Sequence, residues 1–278
     1  LTAGLLTGLA ACGPSAQAGK ADAREATGVD TAIATQLATV RQGRIFFAHH
    51  SVGVNLIEGL GRIDAEVGHG AVKLVNLDKT EPVEGPALMN GTGGQNGEPQ
   101  TKIDYFAATI RDRHGLKPQL AFMKFCFVDF DPSTDVDRLF DRYRSTMETL
   151  KGEHPEIRFA HVTVPLMRRP TELKWRIYRL LGREIWEEAA NVKRRLFNEK
   201  ILRTFAADPV FDLARAESTR PDGTREAYQY RGAPFFSLYP DYTQDGGHLN
   251  AYGQRVAAQE MIRFMAAALK TPTAPPPG

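Results

Sequence analysis

Cysteine is almost absent from this sequence. The two present, Cys12 and Cys126, permit one disulfide at most, which excludes a fold stapled by several. Charge of one sign is missing too. Lys and Arg number 35 against 33 Asp and Glu, a net +2, so the balance gives no reason to expect nucleic acid as a partner. The apolar run at the N-terminus is too short for a helix across a bilayer, which takes roughly 20 residues. No segment repeats, and no histidine or cysteine spacing matches a standard zinc motif, so neither metal nor cofactor is expected. What remains is ordinary globular material. The 278 residues, 42% hydrophobic and 24% charged, suffice for one large domain or two small ones.

The ends read differently from the middle. Leu1-Thr-Ala-Gly-Leu-Leu-Thr-Gly-Leu-Ala-Ala-Cys12 is a short apolar run closing on small residues, the pattern of a secretory h-region. Leu9-Ala10-Ala11-Cys12 resembles the cleavage box of bacterial lipoproteins. That resemblance implies cleavage before Cys12, lipid on its sulfur, and an extracytoplasmic protein anchored to a membrane in the periplasm or at the cell surface. Several acyl chains hold stably where one is marginal. A processed signal or an apolar tail is the plainer alternative. With no initiator Met and no basic n-region, the sequence is expected to extend upstream. Residues 13–28, rich in Ala, Gly, Ser and charges, suit a flexible tether, and 271–278 a disordered tail. One domain is expected over 29–270, with Cys126 as a thiol used in packing.

Inside that domain, strand-like and helix-like segments alternate. Apolar, β-rich runs fall at 44–49, 72–77, 120–128, 157–164 and 210–213. Helical patterns fall near 54–67, 102–113, 135–151, 173–205 and 251–269. Such alternation argues for a parallel sheet with helices on both faces, and ligands in such folds collect at the C-terminal edge of the strands. The longest helical stretch, Arg168 to Arg203, carries eleven Lys or Arg and five Glu. It reads as an amphipathic insertion over about 168–206 with a solvated basic face. A cap over the active site, or a surface for an anionic polymer or lipid headgroups, is the sharper reading.

Two separated features carry chemistry. Asp245-Gly246-Gly247-His248 places a carboxylate three residues before an imidazole, on a glycine-loosened turn before the last helix. The acid can reach one ring nitrogen and leave the other facing outward, which is how a general base is held. Ser51 follows the first strand and precedes the first helical pattern, where helix N-terminal amides can face an oxyanion. Each has a plainer reading. Ser51 can be a helix N-cap, and Asp245 can make an Asx-turn with Asn250 capping the last helix.

Together, the two features resemble the SGNH hydrolase superfamily, the GDSL esterases and lipases, over roughly residues 43–268. The final block of that family, an Asp and His three apart before a helix, matches Asp245-Gly-Gly-His248. Its first block is a strand ending in the nucleophilic serine, usually within Gly-Asp-Ser; here it reads His49-His50-Ser51, with the serine alone in common. The resemblance implies a three-layer α/β/α fold with a five-stranded, mainly parallel, flavodoxin-like sheet. It also implies catalysis by Ser51, His248 and Asp245, and an oxyanion donor from a glycine after the second strand. Among Asn90-Gly-Thr-Gly-Gly-Gln-Asn-Gly97, Gly94 is the favoured residue.

The third block departs from the family. Where an oxyanion Asn is usual, this chain has Met123-Lys124-Phe125-Cys126-Phe127-Val128-Asp129-Phe130. Loss of one such donor typically costs ~3 kcal/mol of transition-state stabilisation. Lys124, Asn96 and His50 are the further oxyanion or substrate candidates. His49 and His50 are expected to point to opposite faces. The function implied is hydrolysis or transfer of ester-linked acyl groups through an acyl-serine, the substrate being an acylated small molecule, glycan or lipid. A non-catalytic carbohydrate- or lipid-binding lipoprotein, or a metal-dependent hydrolase using the histidine pair, stands as the alternative.

Overall fold

Alternate residues of the first apolar run face opposite ways, and this sets the layers. In the computed structural model, which describes residues 31–113 and 115–270, that run is strand β1, Arg44–Ala48. Ile45 and Phe47 join one apolar layer and Phe46 and Ala48 the other, all four buried. A fully buried Phe such as Phe46 contributes about 1.5–3 kcal/mol relative to exposure.

Along the chain the elements are α1 (Thr31–Arg41), β1, α2 (Val52–Val67), β2 (Leu74–Asn76), β3 (Ala87–Gly91), α3 (Pro99–Asp112), β4 (Leu120–Met123) and α4 (Val136–Glu153). They continue with β5 (Arg158–Val162), α5 (Leu173–Leu180), α6 (Trp186–Thr204), β6 (Val210–Phe211), α7 (Leu213–Ser218), β7 (Ala227–Tyr230), β8 (Ala233–Phe236) and α8 (Ala251–Lys270). Six strands form one sheet, in the order β2-β3-β1-β4-β5-β6, with every neighbouring pair parallel. Without the short edge strand β2, the other five run in the 2-1-3-4-5 order of flavodoxin-like sheets.

Helices cover both faces. On one side Ile33 and Leu37 of α1, Leu56 and Leu60 of α2, and Met261 and Met265 of α8 pack on Ile45, Phe47 and Phe122. On the other, Phe106 of α3, Tyr143 of α4 and Phe197 of α6 pack on Phe46, Met123 and Phe159. The architecture is three-layer α/β/α.

Five details differ from the expectation. The sheet has six strands rather than five, because Ala87–Gly91 inserts beside β1 and leaves Leu74–Asn76 at the edge. The helix expected over 173–205 is two helices, since the chain turns at 181–185 with Gly182 at a φ of 66°. Helices α1 and α7 and the antiparallel hairpin β7–β8 are additional. The apolar segment with Cys12, the 13–28 tether and the 271–278 tail lie outside the described residues. Among the described residues, no helix is long and apolar enough to cross a membrane. Cys126 is a buried free thiol.

Candidate active site

The sheet order places a crevice at the C-terminal end of β1, where the chain crosses to opposite sides to build β3 and β4. Ser51 sits there, between β1 and α2. Its backbone has φ 51° and ψ −109°, a region that side-chain-bearing residues avoid and that costs of order 1–3 kcal/mol. Although it occupies the N-cap position of α2, Ser51 makes no capping hydrogen bond. A capping serine turns its oxygen back to the first helical turn. This one turns it outward, and its Oγ lies 2.6 Å from His248 Nε2.

The partner segment is built to hold that ring. His248 Nδ1 donates to Asp245 Oδ2 at 2.6 Å, while Asp245 Oδ1 accepts the amides of Gly247 at 2.9 Å and His248 at 2.8 Å. Thr243 Oγ1 reaches the same oxygen at 3.3 Å and accepts the Gly246 amide at 2.9 Å. Partial burial opposes the charge on Asp245, but the Gly247 amide and the His248 ring and amide outweigh it. They hold the carboxyl down at about 2. The Asx-turn reading of Asp245 is therefore correct as geometry, and the same carboxylate also holds the imidazole. With Nδ1 protonated toward Asp245, Nε2 is left as the acceptor for the Ser51 hydroxyl.

Two contacts fix the ring that the sequence analysis did not identify. The edge of Phe127 meets His248 at 5.3 Å between centroids, and Gly247 is needed there because a Cβ would lie 2.6 Å from the Phe127 ring. Asn55 Oδ1 accepts the Leu249 amide at 3.1 Å. Asn55 is one helical turn after Ser51, an i,i+4 relation that was a readable signal.

The oxyanion candidates divide. Ser51 and Val52 amides donate to no protein acceptor among the described residues, nor do those of Gly93 and Gly94. His50 Nε2 donates to Gly93 O at 2.9 Å and His49 N to Gly91 O at 2.9 Å, so the glycine loop is tied directly to the Ser51 turn. His50 is thus a tether rather than a free ligand. His49 is buried, its Nε2 on Asn90 Oδ1 at 3.3 Å, and burial with Lys124 nearby pushes its pKa down to about 4. Lys124 is buried and lines a small cavity with His49 and His50, and its amine donates to Phe125 O at 3.0 Å. That places it in the wall behind the cleft instead of at its surface. Asn96 Oδ1 is taken by Lys102 Nζ at 2.9 Å. Among the described residues, no group of three or more His, Cys, Asp or Glu is placed to hold a metal ion.

Beneath the crevice is a layer of buried polar groups that the sequence pattern did not reveal. Asp129 accepts Lys102 Nζ at 2.6 Å, Cys126 N at 2.6 Å and Gly97 N at 2.9 Å, joining the 3₁₀ turn Phe127–Asp129 to the glycine loop. Arg194 is fully buried and donates to Phe127 O at 2.7 Å and Phe130 O at 3.2 Å. These bonds fix the turn that carries Phe127 against His248.

No family model matches the chain, and no curated protein sequence does. Solved structures do. A candidate platelet activating factor of Streptococcus pneumonia is 13% identical with a TM-score of 0.49, over 84% of this chain and 92% of that one. A candidate lipolytic protein of the G-D-S-L family from Desulfitobacterium hafniense DCB-2 is 10% identical with a TM-score of 0.45, over 79% and 98%. The periplasmic domain of a lipopolysaccharide acetyltransferase from Salmonella ser. Paratyphi A is 12% identical with a TM-score of 0.44, over 86% and 90%. In its own sheet order, its serine after β1 and its Asp–His pair before the last helix, this chain resembles a divergent SGNH hydrolase.

Proposed function

We propose that this protein is a serine esterase-type hydrolase or acyltransferase, with Ser51 as nucleophile, His248 as general base and Asp245 as the residue that orients the ring. One observation carries the reading: an unbroken Asp245–His248–Ser51 relay, 2.6 Å at each step, reaches a serine in a strained backbone turn. Strain of this kind is kept where a site requires it.

In the first half-reaction His248 Nε2 takes the Ser51 proton as Oγ bonds to the ester carbonyl carbon. Negative charge on the former carbonyl oxygen meets the unpaired amides of Ser51 and Gly94. The carbon–oxygen ester bond then breaks, and His248 returns the proton to the departing alcohol. In the second half, water or an acceptor hydroxyl gives its proton to His248 and attacks the acyl carbon; the bond from that carbon to Ser51 Oγ breaks, and His248 returns the proton to Oγ. Water yields a carboxylic acid and a hydroxyl acceptor yields a new ester.

An extracytoplasmic, lipid-anchored location is part of the proposal, supported by Leu9-Ala10-Ala11-Cys12. Metabolic labelling with a fatty acid that is lost in Cys12→Ala tests it. For the chemistry, a fluorophosphonate probe should label the wild type and leave Ser51→Ala unlabelled. Absence of labelling, together with absence of turnover on short acyl esters, would leave a binding role.

A further inference from the structure

The other α-helices of the described residues each bury part of their side chains; α5 buries none. At 100° per residue, Leu173, Ile177 and Leu180 share one side of α5, opposite Trp175 and Arg179. Arg179 bonds Glu188 Oε1 at 2.6 Å, so its side is the one against the protein. The apolar side therefore points out. Leu173 is 69% exposed, Leu180 86% and the following Leu181 64%, with Trp186 also exposed beyond the turn.

Cations edge this ridge. Lys174 and Arg176 flank it, both exposed, and Arg183 follows. A second copy of this chain would bring its own cations against these. A bilayer rich in anionic headgroups supplies the opposite charge and, below it, an apolar layer for the leucines. The backbone amide of Arg168, just before α5, donates to Gly246 O at 2.8 Å. The helix is thus joined to the turn that carries Asp245 and His248.

We propose that α5 is an interfacial helix that seats the protein on an anionic phospholipid bilayer, independently of any lipid at Cys12. The docking itself needs no turnover, so its failure and failure of the esterase reading are separable.

The test uses the full chain with Cys12→Ser, so that no acyl anchor contributes, and vesicles of phosphatidylcholine with or without phosphatidylglycerol. Of the only two tryptophans, Trp186 is exposed beside the ridge and is the reporter, while Trp175 lies on the opposite side of α5. With anionic vesicles, tryptophan emission should shift to the blue and the protein should sediment, the more so at low salt. The triple change Leu173→Ser, Ile177→Ser, Leu180→Ser should weaken partitioning about tenfold or more. Lys174→Glu with Arg176→Glu should weaken it by a similar factor and flatten the salt dependence. An unchanged thermal midpoint in both variants shows that the fold is retained. Equal binding to neutral vesicles, or no binding to either, would overturn the proposal. So would a dimer in sedimentation velocity that the triple change dissolves, since the ridge would then belong to a second copy.

Discussion

Asp245 and Glu217 lie on either side of one short segment: Leu166 donates its amide to Glu217 Oε2, and Arg168 donates its amide to Gly246. Their carboxyls behave in opposite ways. Asp245, its side chain 57% exposed, is held at about 2 because converging donors outweigh the cost of partial burial. Glu217, 1% exposed, is pushed up to about 8 by burial, against the pull of one amide and of Lys124 and Arg194 nearby. Its Oε1 has no hydrogen-bond partner. The lesson is that donors decide where charge is kept. At neutral pH the ionised acid stands at the cleft, where it orients an imidazole, and the acid below is proton-bearing packing.

The largest expected effect tests the first half of that contrast. Asp245→Asn preserves the shape of the side chain but offers Nδ1 a donor, which favours the wrong tautomer. A loss in kcat/KM of ~10⁴ is expected, read with a short acyl ester. Glu217→Gln, which keeps the acceptor for the Leu166 amide, should leave the same constant nearly unchanged. Next comes Asn55→Ala, which frees the Leu249 amide beside the base. It should cost about tenfold to a hundredfold in kcat, with about 1 kcal/mol of stability in urea unfolding.

The two acids should also leave opposite marks on stability. The Glu217 pKa rises on folding from 4.5 to about 8, so its contribution is whole below about 4.5 and is lost as pH rises through 8. The Asp245 pKa falls from 3.8 to about 2, so its contribution is present above 3.8 and is lost as pH falls through 2. Urea unfolding across pH should show Glu217→Gln removing a decline between 4.5 and about 8, and Asp245→Asn removing a decline between 3.8 and about 2. The smallest expected change in stability is at the nucleophile. Ser51→Gly should remove activity yet raise stability by ~1 kcal/mol, because glycine accepts the positive φ. Ser51→Ala should remove activity with no such gain.

The parallel sheet and the approach of Ser51 to His248 and Asp245 were legible in the sequence, for a physical reason. Ser51, Asp245 and His248 are marked by residue type and by their place beside a strand and a helix, both readable from apolar period. Strand β3 was hidden because five residues ending Met89-Asn90-Gly91 run straight into the glycine loop and look like part of it. The 173–205 helix was over-read because apolar residues such as Trp175, Leu181, Ile185 and Trp186 keep near-helical spacing across the turn at Gly182, although the leucines of α5 face solvent. The buried pair Lys102–Asp129, the buried Arg194 and the Phe127 contact depend on tertiary partners. Local sequence does not encode who those partners are. The same holds for the oxyanion donors. Backbone amides carry no residue signature, and of the side chains proposed for that task the Lys124 amine is engaged elsewhere while Asn96 gives only its carbonyl oxygen to Lys102.

The central claim is that Ser51, His248 and Asp245 act as one unit through a covalent acyl-serine. It is tested most directly by acid-quenching the protein moments after mixing with p-nitrophenyl acetate and mapping the product by peptide mass spectrometry. The account predicts a single acetyl group on the peptide holding Ser51, greatly slowed in His248→Ala and absent in Ser51→Ala. Steady turnover with no acetyl on Ser51, or turnover that persists in Ser51→Ala and stops with a chelator, would contradict it.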